Sequence, residues 1–177
     1  MGHPPRIRAV ADTDWPAVAA LEAAAYAGTA LTEGQAALES RGRASPETCF
    51  VLDLGDRIAG YVLALPYPDS AFPDLSTPEQ APHRTRNLHL HDLVVGERVR
   101  GRGLGRRLVD HLTAVAAQRG YERMSLVAVA GLEGFWRRQG YRPRHDVEVP
   151  PGYGPDALYM SIRLPAGRPS NRKMAGR

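Results

Sequence analysis

The sequence predicts one mixed α/β (α+β) domain of about six to seven strands and about four helices. Three observations carry this. Two β-rich runs, Thr48–Leu54 and Arg57–Leu65, flank Gly55-Asp56, a connection of the kind that closes a tight hairpin. In "GLGRRLVDHLTAVAAQRG" the apolar Leu104, Leu108, Leu112 and Val115 form one helical stripe, and Gly120 stands where a helix stops. Strand-like and helix-like runs then alternate along the chain, in the order β-α-α-β-β-β-α-β-α-β-β.

Ile7 to Val10 read as a short first strand. The next helix runs through "ADTDWPAVAALEAAAYA", with Asp12, Thr13 and Asp14 as candidate caps and Pro16 early. Its apolar Val18, Leu21, Ala25 and Tyr26 recur at helical spacing. A second helix is expected from about Thr32 to Ser40, with Gly42 close after its end. Beyond the hairpin lies a Pro-rich span, Pro66 to Arg86. A span that long inside a compact domain suits either a functional loop or a tolerated surface insertion. "NLHLHDLVV" is the next strand, "RMSLVAVA" a buried one, and "LEGFWRRQG" a short helix ending at Gly140. "YRPRHDVEV" and "ALYMSIRL" supply the last two strands around the turn "PPGYGPD".

The 177 residues suffice for one domain with a substantial core. No apolar run approaches the ~20 residues of a membrane span, and "MGHPPRIRAV" lacks an apolar secretory stretch, so a cytoplasmic protein is expected. The single cysteine, Cys49, excludes an internal disulfide and a zinc cage of several thiolates, and reads as a buried strand residue. The formal net charge of +4 suits an anionic ligand. Part of it sits in "PAGRPSNRKMAGR", so residues 1–164 read as the domain and 165–177 as a basic, disordered tail. That tail is a solvated end or a nucleic-acid arm, and the first reading is preferred.

Arg100-Gly101-Arg102-Gly103-Leu104-Gly105 joins a strand end to a helix start. The N–H groups of a first turn have no intrahelical partner there, and the helix dipole adds positive charge. Glycines let the main chain close on an anion, so converging amides beside arginines make a phosphate cradle. The alternatives are a solvated basic turn and a nucleic-acid contact, although no aromatic stacking platform accompanies the arginines. A Walker loop would need Gly-Lys-Ser/Thr where Gly105-Arg106-Arg107 stands, and the dinucleotide spacing fails at Arg106 and at Leu108.

The spacing Arg100-x-x-Gly103-x-Gly105, after "DLVV" and before an apolar helix, resembles motif A of the GNAT superfamily, the acyl-CoA-dependent N-acyltransferases. The later Phe135-Trp136-Arg137-Arg138-Gln139-Gly140-Tyr141 is similar to that family's aromatic segment, and the element order agrees over roughly residues 6 to 163. The resemblance implies a mixed, mostly antiparallel central sheet splayed between its fourth and fifth strands, with acetyl-CoA or another acyl-CoA as co-substrate and no metal. Main-chain groups of Leu93, Val94 and Val95 would pair with the pantetheine arm. The stretch Arg100, Gly101, Arg102, Gly103, Leu104, Gly105 and Arg106 would hold the pyrophosphate. Trp136 would pack against pantetheine or in the core. The splay comes from a bulge, and this strand holds a reason for one. Alternation puts His89 and His91 on one face and Leu88 and Leu90 on the other, so Asp92 lands among apolar side chains. A parity break near Asp92 or Leu93 would relieve the conflict.

Acyl transfer needs a neutral nitrogen, whereas an amine with a pKa of about 10.4 is mostly ammonium at neutral pH. Histidine can take that proton. "LHLHDLVV" resembles the paired-histidine strand of serotonin-type arylalkylamine N-acetyltransferases, which makes His91 the candidate base or relay and His89 its companion. Two buried structural histidines, or a metal pair, are the alternatives. The family often has a tyrosine where Trp136 stands, and an indole cannot protonate a leaving thiolate. Tyr153 is the candidate replacement, with Tyr159 beside it; both read equally as packing or loop anchors.

The functional reading is an N-acetyltransferase moving acetyl directly from acetyl-CoA to a primary amine in a ternary complex. The acceptor is expected to be a small amine, chosen by the first two helices, the Pro66–Arg86 loop and the loop around Gly152 to Pro155. The protein would be a monomer or homodimer with no nucleic-acid or membrane partner. A CoA-binding module without chemistry is the alternative, kept open by Trp136.

Overall fold

The computed structural model describes residues 4–165. In chain order the elements are β1 (Arg6–Ala9), α1 (Trp15–Ala25), α2 (Gln35–Ala44), β2 (Cys49–Asp53), β3 (Ile58–Pro66), β4 (Asn87–Val95), α3 (Leu104–Gln118), β5 (Arg123–Ala128), α4 (Glu133–Arg138), β6 (Arg142–Pro143) and β7 (Leu158–Arg163). The strands form one open mixed sheet in the order β1-β2-β3-β4-β5-β7-β6, in which only β4 and β5 run parallel. The class and element order are those the sequence predicts. The expected tail lies, past Pro165, outside the described residues.

Each face of the sheet buries its own set of side chains. The α3 stripe, Leu104, Leu108 and Leu112, packs on Val62, Ala64, Leu88, Leu90 and Met124. On the opposite face Trp15, Val18 and Leu38 pack on Val51, Tyr61, Leu63 and Val94. Fully burying one aliphatic side chain of this kind contributes roughly 1.5–3 kcal/mol.

Two elements differ from the sequence reading. The second helix begins at Gln35 and runs through Gly42 to Ala44. Gly34, at φ 87°, lies outside helical space, and a β-carbon on Gly42 would stand 2.3 Å from the Trp15 indole. Gly42 is thus a close-packing residue, not a stop. The sixth strand keeps only Arg142 and Pro143 of the expected nine residues. Pro143 has no N–H for a ladder, and a turn from Val147 N–H to Arg144 O leads the chain away.

The parity break occurs, at His91. β3 pairs Leu63 with Asp92 but Ala64 with Leu90, leaving His91 as the extra residue. Before it Leu88 and Leu90 face α3; after it Leu93 and Val95 do, and Val94 turns to the α1–α2 side. Asp92 thereby escapes the apolar face. Beyond the bulge β4 and β5 part company: their ladder holds only Asn87–Arg123, Leu88–Met124 and His89–Ser125. From Leu90 to Val95 the outer edge of β4 has no strand beside it among the described residues.

Candidate active site

From the end of β4 the chain runs through Gly96 to Val99 into the glycine bend. Gly101 and Gly103 sit at φ 75° and 73°, and a β-carbon at either would meet nothing within 4 Å. These glycines answer a conformational demand, the left-handed backbone, and not crowding. Gly103 caps α3, and the first bond of that turn is Arg107 N–H to Gly103 O at 3.1 Å. Among the described residues no main-chain N–H from Gly101 to Arg106 donates to a protein acceptor. Val99 pins the loop by its buried side chain, and Arg100 Nε donates to Val95 O at 2.9 Å. Exposed Arg102 and Arg106 add charge around unpaired donors, the ingredients of an anion site.

The other wall of the gap is made of side chains. His91 Nε2 pairs with Glu33 Oε1, from the connection between α1 and α2. Arg41 of α2 donates to Glu33 Oε2 at 2.8 Å, and also to Glu79 Oε1 and Asp74 O in the Pro66–Arg86 span, each at 2.8 Å. The side chains of Arg41, His91 and Glu33 are only 1%, 3% and 4% exposed. Glu22 of α1 accepts from the Glu33 N–H and so fixes the connection. Burial alone would raise the Glu33 pKa, but hydrogen bonds from His91 and Arg41 hold it below the usual carboxylate range. An ionised carboxylate only accepts, so Nε2 is the nitrogen of His91 that donates, and Nδ1 is the one left without this bond.

Asp92 is buried and accepts from the hydroxyls of Tyr26 and Tyr61, both at 2.6 Å. Burial raises its pKa despite these two donors. His89 is 1% exposed, its Nδ1 3.0 Å from Ser125 Oγ, which also accepts from Asn87 Nδ2. Burial pushes His89 down to about 3, so it is neutral at ordinary pH. The two histidine rings lie 6.5 Å apart.

The tyrosines fasten the long span. Tyr153 donates to Pro73 O at 2.6 Å, and Tyr159 accepts from the Ser70 N–H at 2.9 Å. Burial raises both phenols. Trp136 packs in the core, edge-on to Phe135 and Tyr141, with one side on the gap. Cys49 is buried, and burial pushes its thiol up to about 12, which disarms it as a nucleophile.

The structure thus brings His91, Leu93 and Trp136 around one hollow between the splayed strands, together with Glu33, Asp92 and Tyr153. His89 stays beneath it. Glu33, Arg41 and the tyrosine pair on Asp92 escaped sequence reasoning. Only Asp92 left a signal, as an acid on the wrong side of its strand. Among the described residues no three His, Cys, Asp or Glu side chains group so as to hold a metal, and no helix is long and apolar enough to cross a membrane.

The sequence profile of the acetyltransferase (GNAT) family matches residues 15–141. Among solved structures, Ard1 from Thermoplasma volcanium superposes with a TM-score of 0.72 at 18% identity, covering 91% of this chain and 98% of its own. N-acetylglutamate synthase from Neisseria gonorrhoeae, complexed with coenzyme A and N-acetyl-glutamate, gives 0.70 at 18%, over 92% of this chain and 35% of that one. The ribosomal-protein-alanine N-acetyltransferase from Brucella melitensis gives 0.65 at 23%, over 90% and 99%. At these identities the likeness is one of fold. No match is found among curated proteins.

Proposed function

The chain belongs to the acetyltransferase (GNAT) family, and from that premise we propose that it is an N-acetyltransferase moving acetyl from acetyl-CoA to a small primary amine by direct transfer. The observation that carries the reading is the conjunction of an open β4 edge, uncommitted amides from Gly101 to Arg106 in the bend that follows β4, and His91 in the gap beside it.

In this reading Leu93, Val94 and Val95 pair with pantetheine as an added strand would. The amides from Gly101 to Arg106 hold the pyrophosphate, with Arg100, Arg102 and Arg106 supplying charge. The acceptor arrives as an ammonium facing Glu33 and Asp92. His91 Nδ1 takes its proton, and the Glu33 charge stabilises the resulting imidazolium, as an orienting carboxylate does. The freed nitrogen attacks the thioester carbonyl, the tetrahedral adduct sheds its second N–H proton to solvent as it collapses, and the C–S bond breaks. Trp136 has no proton to give and the Tyr153 hydroxyl is committed to Pro73, so the thiolate is protonated from solvent. A thiol with a pKa of roughly 8.5 leaves tolerably without a dedicated acid. Neutral, buried His89 keeps the floor of the site in place and does not compete for the proton.

Acetyl-CoA offered with a panel of amines, read by release of free thiol, tests this. Amine-dependent release supports transfer. Tight CoA binding with no release under any acceptor would favour the second reading, a CoA-binding module, for which Trp136 in the acid's usual place is the observation.

A further inference from the structure

A second hollow adjoins the gap, and three separate connections build it: the one between α1 and α2, the Pro66–Arg86 span, and the one between β6 and β7. Its volume is about 570 Å³, in the range that suits a small molecule. Phe72, Pro73, Leu75, Pro150, Gly152 and Tyr153 give it an apolar lining. Its walls are tied down. Tyr153 holds Pro73, Tyr159 holds Ser70, and buried Arg41 holds both Asp74 O and Glu79. Phe72 rests edge-on against Tyr153 with ring centroids 5.4 Å apart. Leu75 and Tyr153 also line the inner gap beside His91 and Glu33, so a molecule seated in the outer hollow has one end at the base.

The charges facing this space share a sign. Among the described residues no lysine or arginine lines either hollow; the carboxylates are Asp74 in the outer one and Glu33 and Asp92 in the inner. Arg41 lies behind the wall and is engaged by Glu33, Glu79 and Asp74 O. An ammonium entering here meets opposite charge. A carboxylate entering here meets like charge and loses its water with no cation to replace it, which is costly.

We infer that this hollow is the acceptor subsite and takes a compact primary amine with an apolar body, rejecting α-amino acids because among the described residues no lysine or arginine lines it to pair their carboxylate. The inference rests on the transfer reading above and narrows it to one acceptor class.

Matched pairs that differ only by the carboxylate test it: 2-phenylethylamine against phenylalanine, and 1,5-diaminopentane against lysine. Turnover with acetyl-CoA should favour the amine of each pair by at least about 100-fold in kcat/KM, with 2-phenylethylamine the better amine. Gly152 offers a clean probe, since its φ is not left-handed and a β-carbon there meets nothing within 4 Å. Gly152→Trp should fill the hollow and raise the KM for 2-phenylethylamine about tenfold or more, leaving that for acetyl-CoA unchanged. Gly152→Arg should narrow the gap between phenylalanine and its amine. Equal use of both members of a pair, or an unchanged amine KM in folded Gly152→Trp, overturns the inference. If no amine releases thiol, the transfer reading fails by itself, and calorimetry on the CoA-loaded protein decides the subsite. Binding of 2-phenylethylamine but not phenylalanine, abolished by Gly152→Trp, upholds the subsite; equal binding of both, or of neither, removes it.

Discussion

On the α3 side stand uncommitted main-chain N–H groups in an exposed glycine bend; on the α1–α2 side stands a buried group of hydrogen-bonded side chains, Arg41, His91 and Glu33, only 1–4% exposed. The first wall depends on backbone conformation at Gly101 and Gly103 and tolerates change in the side chains around them. The second depends on the identity of each partner, because removing one member of a buried ionic group strands the others. One site therefore has two modes of failure, and substitutions can tell them apart.

The sharpest contrast comes from His91, the proposed base. His91→Ala should lower kcat by about 10²–10⁴-fold while the KM for acetyl-CoA stays within about twofold. Undiminished thiol release in that variant would remove His91 from proton transfer. Arg41→Met should cost about 3–5 kcal/mol of stability, since it strips Glu79 of its partner and leaves Glu33 to His91 alone. Urea unfolding measures it, and a loss under about 1 kcal/mol would show those carboxylates to be solvated after all. A smaller effect of opposite character is expected at the bend. Gly103→Val forces a β-branched residue to φ 73°, a penalty of about 1–2 kcal/mol, and should weaken acetyl-CoA binding about tenfold with kcat nearly intact. Loss of kcat without loss of binding would contradict the assignment of that bend.

A further contrast concerns His89 and pH. Its folded value of about 3 lies below the ordinary 6.5, so between those two values the unfolded chain binds a proton that the folded one refuses. Stability should fall as pH drops through that window and level off above it. Urea midpoints at several pH values should show this slope in the native protein and a shallower one in His89→Asn. A slope unchanged by the substitution would assign the acid sensitivity instead to carboxylates held low in the fold, such as Glu33 and Asp14.

Most of the architecture could be read along the chain. The order of elements, the whole of β4, the α3 stripe and the glycine bend follow from periods of 2.0 and 3.6 residues and from the positive φ that glycine allows, all properties of near neighbours. Even the bulge was visible, because Asp92 had no acceptable face in an unbroken strand. It fell at His91, one residue before the place that parity alone suggested. Where local reasoning slipped, at Gly42 and in the sixth strand, a partner distant in sequence or a missing N–H overruled the pattern.

The wall around His91 left no such trace. Glu33 and His91 are 58 residues apart, and Arg41 reaches Glu79 across 38. Nothing at Glu33 distinguishes it in the sequence from any other surface acid. Its charge matters only because folding carries it out of water to a histidine and a guanidinium, and the strength of that meeting depends on distance and burial in space. The acceptor hollow belongs to the same category. Its lining comes from three connections with no common period, and its lack of cations becomes visible only once they close around one volume.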